Sequence, residues 1–113
     1  MAKRIHIDVP GVRINESDRR VLSCVASCAR EATHLACVAV PIPYRRFMDD
    51  MGLCETSVIR ICKRLRENGL MTVVVNEDEK GGRLANSYAL TALGIEVLRL
   101  ADEAMAAGRL GSR

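Results

Sequence analysis

A short stretch of the sequence concentrates side chains that bind anions and polar groups. Between Cys54 and Asn68 it carries four basic residues against two acidic ones, together with the hydroxyl groups of Thr56 and Ser57. Guanidinium, ammonium and hydroxyl groups donate hydrogen bonds to phosphate oxygens and to the polar edges of bases. The chemistry available here is therefore noncovalent binding of a polar, negatively charged surface.

The same stretch has the periodicity of an amphipathic helix. Four apolar residues recur at intervals of three and four, which places them on one face of the helix: Val58, Ile61, Cys62 and Leu65. Asn68 and Gly69 supply the residue types that end a helix in a left-handed cap. We therefore predict a helix over 54–68 with one buried face and one polar face.

The residues before this helix predict an arm, a helix, a brief strand and a second helix. Residues 1–14 form an extended arm in which apolar and polar residues alternate until a Pro-Gly pair interrupts them. Asn15 or Ser17 then caps a first helix. The second half of 35–42 is predicted as a strand, and an amphipathic helix of two turns follows it and ends at Gly52.

The residues after 54–68 predict a hairpin and a last helix. By composition, 71–75 is a strand, 76–82 is a polar turn and 84–90 is the returning strand. Thr91 can cap a last helix. That helix carries a stripe of apolar residues: Leu93, Val97, Leu100, Ala101 and Ala104.

Two segments of the chain resemble MarR-like and related winged helix regulators. SVIRICKRLRENGLM is similar to their recognition helix and the start of the first wing strand. LTALGIEVL is similar to the segment in which a Leu-Thr pair ends the wing strand and a glycine lets the last helix pack closely. The resemblance implies an α+β, mostly α fold: a winged helix-turn-helix with a three-helix core, a two- to three-stranded wing sheet and an extra C-terminal helix.

This fold divides the chain into an arm (1–14), a winged helix-turn-helix domain (15–91) and a C-terminal helix (92–113). A single winged module buries little DNA surface, so specific regulators of this size normally pair. The last helix is the candidate dimerisation element and we expect a homodimer. The alternative is that its apolar stripe only closes the core of the monomer.

The helix-turn-helix resemblance implies a role for the polar face of the 54–68 helix. A recognition helix presents its N-terminal residues to base edges in the major groove, so Thr56, Ser57 and Arg60 are the candidate base readers. Ile59 could contact a thymine methyl group. Three basic residues further along are candidate phosphate contacts: Lys63, Arg64 and Arg66. The alternative is a charged face that is merely solvated.

Two further pairs of basic residues are candidate DNA contacts. Arg45 and Arg46 begin the preceding helix, where free backbone N–H groups favour a phosphate. Pairing with Asp49 or Asp50 one turn later is an equally good interpretation. In the hairpin, Lys80 and Arg83 are the candidate wing contacts. They follow three acidic residues, which must point away from DNA unless the wing stands back from it: Glu77, Asp78 and Glu79.

The cysteines divide into a packing group and one exception. Cys24 and Cys28 lie one helical turn apart on an apolar face, and Cys37 follows close to His34. Zinc sites place their ligands closer together in loops, so we favour core packing over metal binding and expect no cofactor. Cys54 stands where related proteins have a Ser or Thr cap, and a helix N-terminus increases thiolate reactivity. A redox-sensing role for Cys54 is therefore a hypothesis.

Composition excludes several classes of protein. Aromatic residues make up only 3% of the 113 residues, which is too few for a base-stacking platform of the single-strand-binding kind. No apolar run approaches the ~20 residues that cross a bilayer, and the N-terminus lacks a secretion signal, so a cytosolic protein without a membrane partner is expected. No arrangement of catalytic residues is visible, which indicates that the protein is not an enzyme.

The sequence thus predicts specific binding of double-stranded DNA by a bacterial, plasmid or phage transcriptional regulator, a repressor in the leading interpretation. Two alternatives stay open. One is a winged helix protein of DNA replication, partition or transfer. The other is a winged helix that binds no DNA and serves protein interaction or thiol or metal sensing. The target sequence and any small-molecule effector are not predicted.

Overall fold

The computed structural model describes residues 4–7, 9–35, 38–82 and 84–111, with the side chains of the last helix as far as residue 107. The described residues form four helices and five short strands. In chain order these are β1 (Arg4–Ile5), β2 (Ile14–Asn15), α1 (Glu16–Thr33), β3 (Val40–Pro41), α2 (Tyr44–Met51), α3 (Glu55–Glu67), β4 (Met71–Val74), β5 (Ser87–Leu90) and α4 (Ala92–Gly111). The predicted α+β, mostly α class is confirmed.

Helix α1 is the central element of the core. It begins with a capping box: the Asn15 side-chain oxygen accepts from the Asp18 N–H, and the Asp18 carboxylate accepts from the Asn15 N–H, both at 2.9 Å. Of the two predicted caps, Asn15 is the one used. The helix ends at His34, which adopts a left-handed conformation with φ 66°. Its buried face packs against all three other helices.

The N-terminal segment is a hairpin rather than a free arm. Strands β1 and β2 pair antiparallel with Ile5 opposite Ile14, and both side chains are buried in the core. The predicted break at Pro10-Gly11 is the turn between them, with Gly11 at φ 80°. The alternating apolar residues of the arm therefore serve packing of the domain itself.

The remaining strands form an antiparallel sheet in the order β3-β5-β4. Its central residue is Tyr88, whose ring packs edge-to-face on Phe47 of α2 at a centroid distance of 5.1 Å. Strand β5 begins at Ser87, later than predicted. The Asn76 side chain takes the place of a ladder partner there, donating to the Ala85 carbonyl at 2.9 Å and to the Ser87 hydroxyl at 2.8 Å.

Helix α4 is anchored at its first turn by a tight junction with the end of α3. The Thr91 hydroxyl donates to the Gly69 carbonyl at 2.7 Å and accepts from the Gly94 N–H at 3.0 Å. The Thr91 N–H donates to the Leu70 carbonyl at 3.1 Å. A Cβ at position 94 would overlap that same carbonyl oxygen, so only glycine fits. The two segments that carry the family resemblance are thus in direct contact.

The apolar stripe predicted on α4 is only partly used in the core. Val97 and Ala101 are fully buried, and Leu98 joins them. Leu93 is 38% exposed and Leu100 is half-buried, so the outer edge of the stripe faces solvent in the single chain. None of the helices in the described part of the chain is long and apolar enough to cross a membrane.

We expect Gly94→Ala to destabilise the protein more than Gly69→Ala. At position 94 the new methyl group collides with backbone that cannot rotate away, which costs about 2 kcal/mol or more. At position 69, where φ is 75°, no described atom beyond the adjacent residues lies within 4 Å of an added Cβ, so only backbone strain of about 1 kcal/mol is added. Urea unfolding followed by circular dichroism measures both. Equal stability of Gly94→Ala and the wild type would contradict this packing.

Candidate nucleic-acid interface

Helices α2 and α3 are joined by a tight turn. Gly52 ends α2 in the left-handed region at φ 66°, and its N–H donates to the Met48 carbonyl at 2.8 Å. This conformation is accessible to glycine without strain. Leu53 follows half-buried against the core, and α3 begins two residues later. The predicted helix-turn-helix geometry is present.

Helix α3 has the two faces that its periodicity predicts. All four apolar residues are buried, with Val58 and Leu65 at 0% and 1% exposure. Along the opposite face, Thr56, Arg60 and Lys63 are exposed. Gly69, at φ 75°, ends the helix with the predicted left-handed cap. The polar face is thus presented to solvent over the whole helix.

The two edges of this polar face differ. On the edge towards α1, Ser57 lies half-buried and its hydroxyl is 3.5 Å from an Arg60 guanidinium nitrogen. On the edge towards the sheet, Ile59 is 44% exposed. An open groove of about 150 Å³ lies beyond Ile59, and Lys63, Arg66, Tyr44 and Asn86 are among the residues that line it. Within the described part of the chain, Lys63 and Arg66 form no ion pair.

Arg64, a predicted phosphate contact, has an intramolecular partner. Its guanidinium donates to the carboxylate of Asp18, whose side chain is 3% exposed. Asp18 lies in the first turn of α1. Nothing in local sequence signals a partner that lies 46 residues away.

Arg46 also has intramolecular partners. It donates to Asp50 at 2.9 Å and to Glu31 of α1 at 3.1 Å. The hydrogen bond from Arg46 holds the pKa of Asp50 below its ordinary value. Of the two interpretations of Arg45 and Arg46, surface pairing describes Arg46 in this structure. Arg45 is exposed and, among the described residues, takes part in no ion pair.

Comparison with solved structures identifies proteins of the same fold. No protein-family model matches the sequence, and no curated protein is significantly similar to it. Among solved structures, the chain is similar to the PcaV transcriptional regulator from Streptomyces coelicolor (TM-score 0.59, 22% identity), of which it covers 56% with 82% of its own length. It is also similar to a mutant MarR from E. coli complexed with operator DNA (TM-score 0.56, 16% identity; 83% of this chain and 57% of MarR).

The chain has the winged helix fold of MarR-family transcriptional regulators. It spans little more than half the length of PcaV and MarR. YodB from B. subtilis, solved in its diamide-treated form, is similar over nearly its full length (TM-score 0.57, 14% identity; 93% of this chain and 96% of YodB). In winged helix terms α3 occupies the position of the recognition helix, and the β4–β5 hairpin is the wing.

The wing uses one of its three acidic residues to build its own turn. A single Asp78 carboxylate oxygen accepts from the Lys80 N–H at 2.9 Å and from the Gly82 N–H at 2.6 Å. This is the local hydrogen bonding that favours Asp in turns. Glu77, Glu79 and Lys80 are exposed. Arg83, the other predicted wing contact, lies outside the described residues.

The packing interpretation fits the cysteines of the helical core. Cys24 and Cys62 are each 6% exposed, and burial raises the pKa of the Cys62 thiol to about 12. Cys28 is half-buried, whereas Cys37 lies outside the described residues. Among the residues that the structure describes, no group of three or more His, Cys, Asp or Glu side chains is placed to hold a metal ion.

Cys54 differs from the other cysteines in its surroundings. It is exposed at the N-cap of α3 and makes no side-chain capping hydrogen bond. Its sulfur lies 3.4 Å from the Ser57 hydroxyl. The hydrogen bond between this sulfur and the Ser57 hydroxyl lowers the pKa of the Cys54 thiol. The thiolate is therefore favoured at the helix N-terminus.

We expect iodoacetamide to alkylate Cys54 about tenfold or more faster than Cys62 in the folded protein at neutral pH, because the thiolate is the nucleophile. Peptide mass spectrometry gives both rates, and Cys54→Ser is the control that removes the fast reaction. Because the pKa of Cys54 is lowered, its alkylation rate should stay high to a lower pH than the alkylation rate of glutathione as the pH is decreased. Alkylation of Cys62 at the rate of Cys54 would contradict this assignment.

Proposed function

We propose that the chain is a transcriptional regulator that binds double-stranded DNA sequence-specifically and inserts α3 into the major groove. The observation that carries the proposal is the outer face of α3. It carries hydroxyl groups at its beginning and, further on, the exposed cations Lys63 and Arg66, which form no ion pair with any residue that the structure describes. It also belongs to a helix-turn-helix. Its likeness in fold to MarR, solved with operator DNA, supports the same function.

The proposed contacts divide by position on α3. Thr56, Ser57 and Arg60 lie in its N-terminal half and read base edges, with Ile59 against a thymine methyl group. Arg60 and the Ser57 hydroxyl are close enough to contact neighbouring base positions. Phosphates are contacted by four basic residues that form no ion pair within the described part of the chain: Lys63, Arg66, Arg45 and Lys80. Arg83 stays a predicted wing contact, whereas Arg46 and Arg64 are assigned to their intramolecular partners.

We further propose that the regulator is a cytoplasmic homodimer that represses by covering its site. Two copies would read two half-sites, which gives the affinity and specificity that one small module lacks. The outer edge of α4, with Leu93 exposed and Leu100 half-buried, offers apolar surface for the second copy. The competing function is a winged helix that binds protein instead of DNA, and the exposed Glu77 and Glu79 on the wing favour it.

Binding across a salt series separates these two functions. For DNA binding, log Kd should vary steeply with log salt, by about 0.9 for every phosphate that the protein neutralises. We expect Arg60→Ala to lose about 1–3 kcal/mol on a selected duplex and much less on random duplex, because a base contact discriminates. Lys63→Ala should weaken binding to both duplexes equally and lower the salt slope by about 1.

Equal losses of Arg60→Ala on selected and random duplex would contradict its role as a base reader. Absence of salt-dependent binding to any duplex would contradict DNA binding itself. It would favour the protein-interaction alternative.

A further inference from the structure

We propose that Asp18 is a positioning residue for the recognition helix. Through its ion pair with Arg64 it sets the orientation of α3 on the core, and it keeps the Arg64 guanidinium away from DNA. This inference rests on the proposed function, because its consequence is measured as DNA selectivity.

Asp18 is the charged residue that the described part of the chain buries most completely, at 2% exposure. Both of its carboxylate oxygens have partners. One accepts from the Asn15 N–H at 2.9 Å and the other accepts from the Arg64 guanidinium. A buried carboxylate is costly unless its charge and lone pairs are satisfied, so this arrangement resists any movement of Arg64.

Among the described residues, the ion pair is the one side-chain hydrogen bond that joins α3 to another element. The buried face of α3 consists of Val58, Ile61, Cys62 and Leu65. Apolar contacts of this kind are non-directional and hold the helix at its depth, whereas a charge-assisted hydrogen bond requires defined geometry. Arg64 follows Arg60 by one turn, so the rotation that aligns Arg64 with Asp18 also determines where the Arg60 side chain emerges.

The anchor extends to the N-terminal hairpin. Asn15 caps α1 over Asp18, and it is also the residue of β2 that pairs with Arg4 of β1. The position of the Asp18 carboxylate is thus fixed from the hairpin side as well as from α1. The placement of α3 therefore depends on contacts far from the exposed face that is proposed to meet DNA.

The two arginines near the end of α3 should consequently behave differently on DNA. Arg64 is engaged by Asp18 on the edge towards α1, while Arg66 lies on the opposite edge beside the groove with Lys63. They are two residues apart on one helix, which makes Arg64→Gln and Arg66→Gln a matched pair. The first removes an internal anchor and the second removes a phosphate contact.

The test measures Kd on a selected and a random duplex at several salt concentrations for the full chain and its variants. We expect Arg66→Gln to lower the salt slope by about 0.9 and to keep the ratio of the two Kd values. Arg64→Gln should keep the slope and reduce that ratio about tenfold. Asp18→Asn should reduce the ratio similarly. Because it releases Arg64, it should also raise the salt slope by about 0.9. In the double variant Asp18→Asn/Arg64→Gln, the salt slope should return to the wild-type value.

A fall in slope for Arg64→Gln equal to that of Arg66→Gln would overturn the inference, since Arg64 would then be a phosphate contact. So would unchanged selectivity in both Arg64→Gln and Asp18→Asn. Circular dichroism confirms that each variant is folded at the assay temperature. If Asp18→Asn or Arg64→Gln unfolds, Arg64→Lys replaces it. We expect Arg64→Lys to lose part of the selectivity, and unchanged selectivity would overturn the inference. A wild-type protein that does not distinguish the two duplexes contradicts the proposed function instead.

Discussion

The carbonyl group of Leu70 lies where the main elements of this fold converge. Leu70 lies between α3 and β4. Its carbonyl oxygen accepts from the N–H of Thr91, the residue after β5, and leaves no space for a side chain at Gly94 of α4. Since neither Leu70 nor Gly94 can shift without moving backbone, α3, the β4–β5 hairpin and α4 are held in one arrangement. The placement of every candidate DNA contact on α3 depends on this junction.

A second constraint concerns charge. Three arginines tie α1 to the other helices through carboxylates: Arg19 to Asp102 of α4, Arg46 of α2 to Glu31, and Arg64 of α3 to Asp18. The exposed pairs contribute little to stability, but Asp18 is buried and its loss of a partner would be costly. The basic residues of this chain therefore serve two purposes. Some pair with carboxylates on other helices, and others remain available on the surface of α3.

Features that depend on neighbouring residues in the chain could be predicted from the sequence. The spacing of Val58, Ile61, Cys62 and Leu65 predicted the buried face of α3, and the glycine at position 94 was expected from the family resemblance. Partners distant in the chain were not predictable, because no periodicity connects Arg64 to Asp18 or Arg46 to Glu31. The late start of β5 depends on a side chain, Asn76, that replaces a backbone partner. The predicted extended arm likewise folds into a hairpin, which buries both Ile5 and Ile14 in the core.

We propose that the exposed face of α3 reads a DNA sequence. This proposal can be tested by recovering bound duplexes from a random pool and sequencing them. We expect an enriched palindrome whose half-sites are about one helical turn apart, as two symmetry-related recognition helices require. Recovery of duplexes without any enriched sequence, or of none above background, would contradict it.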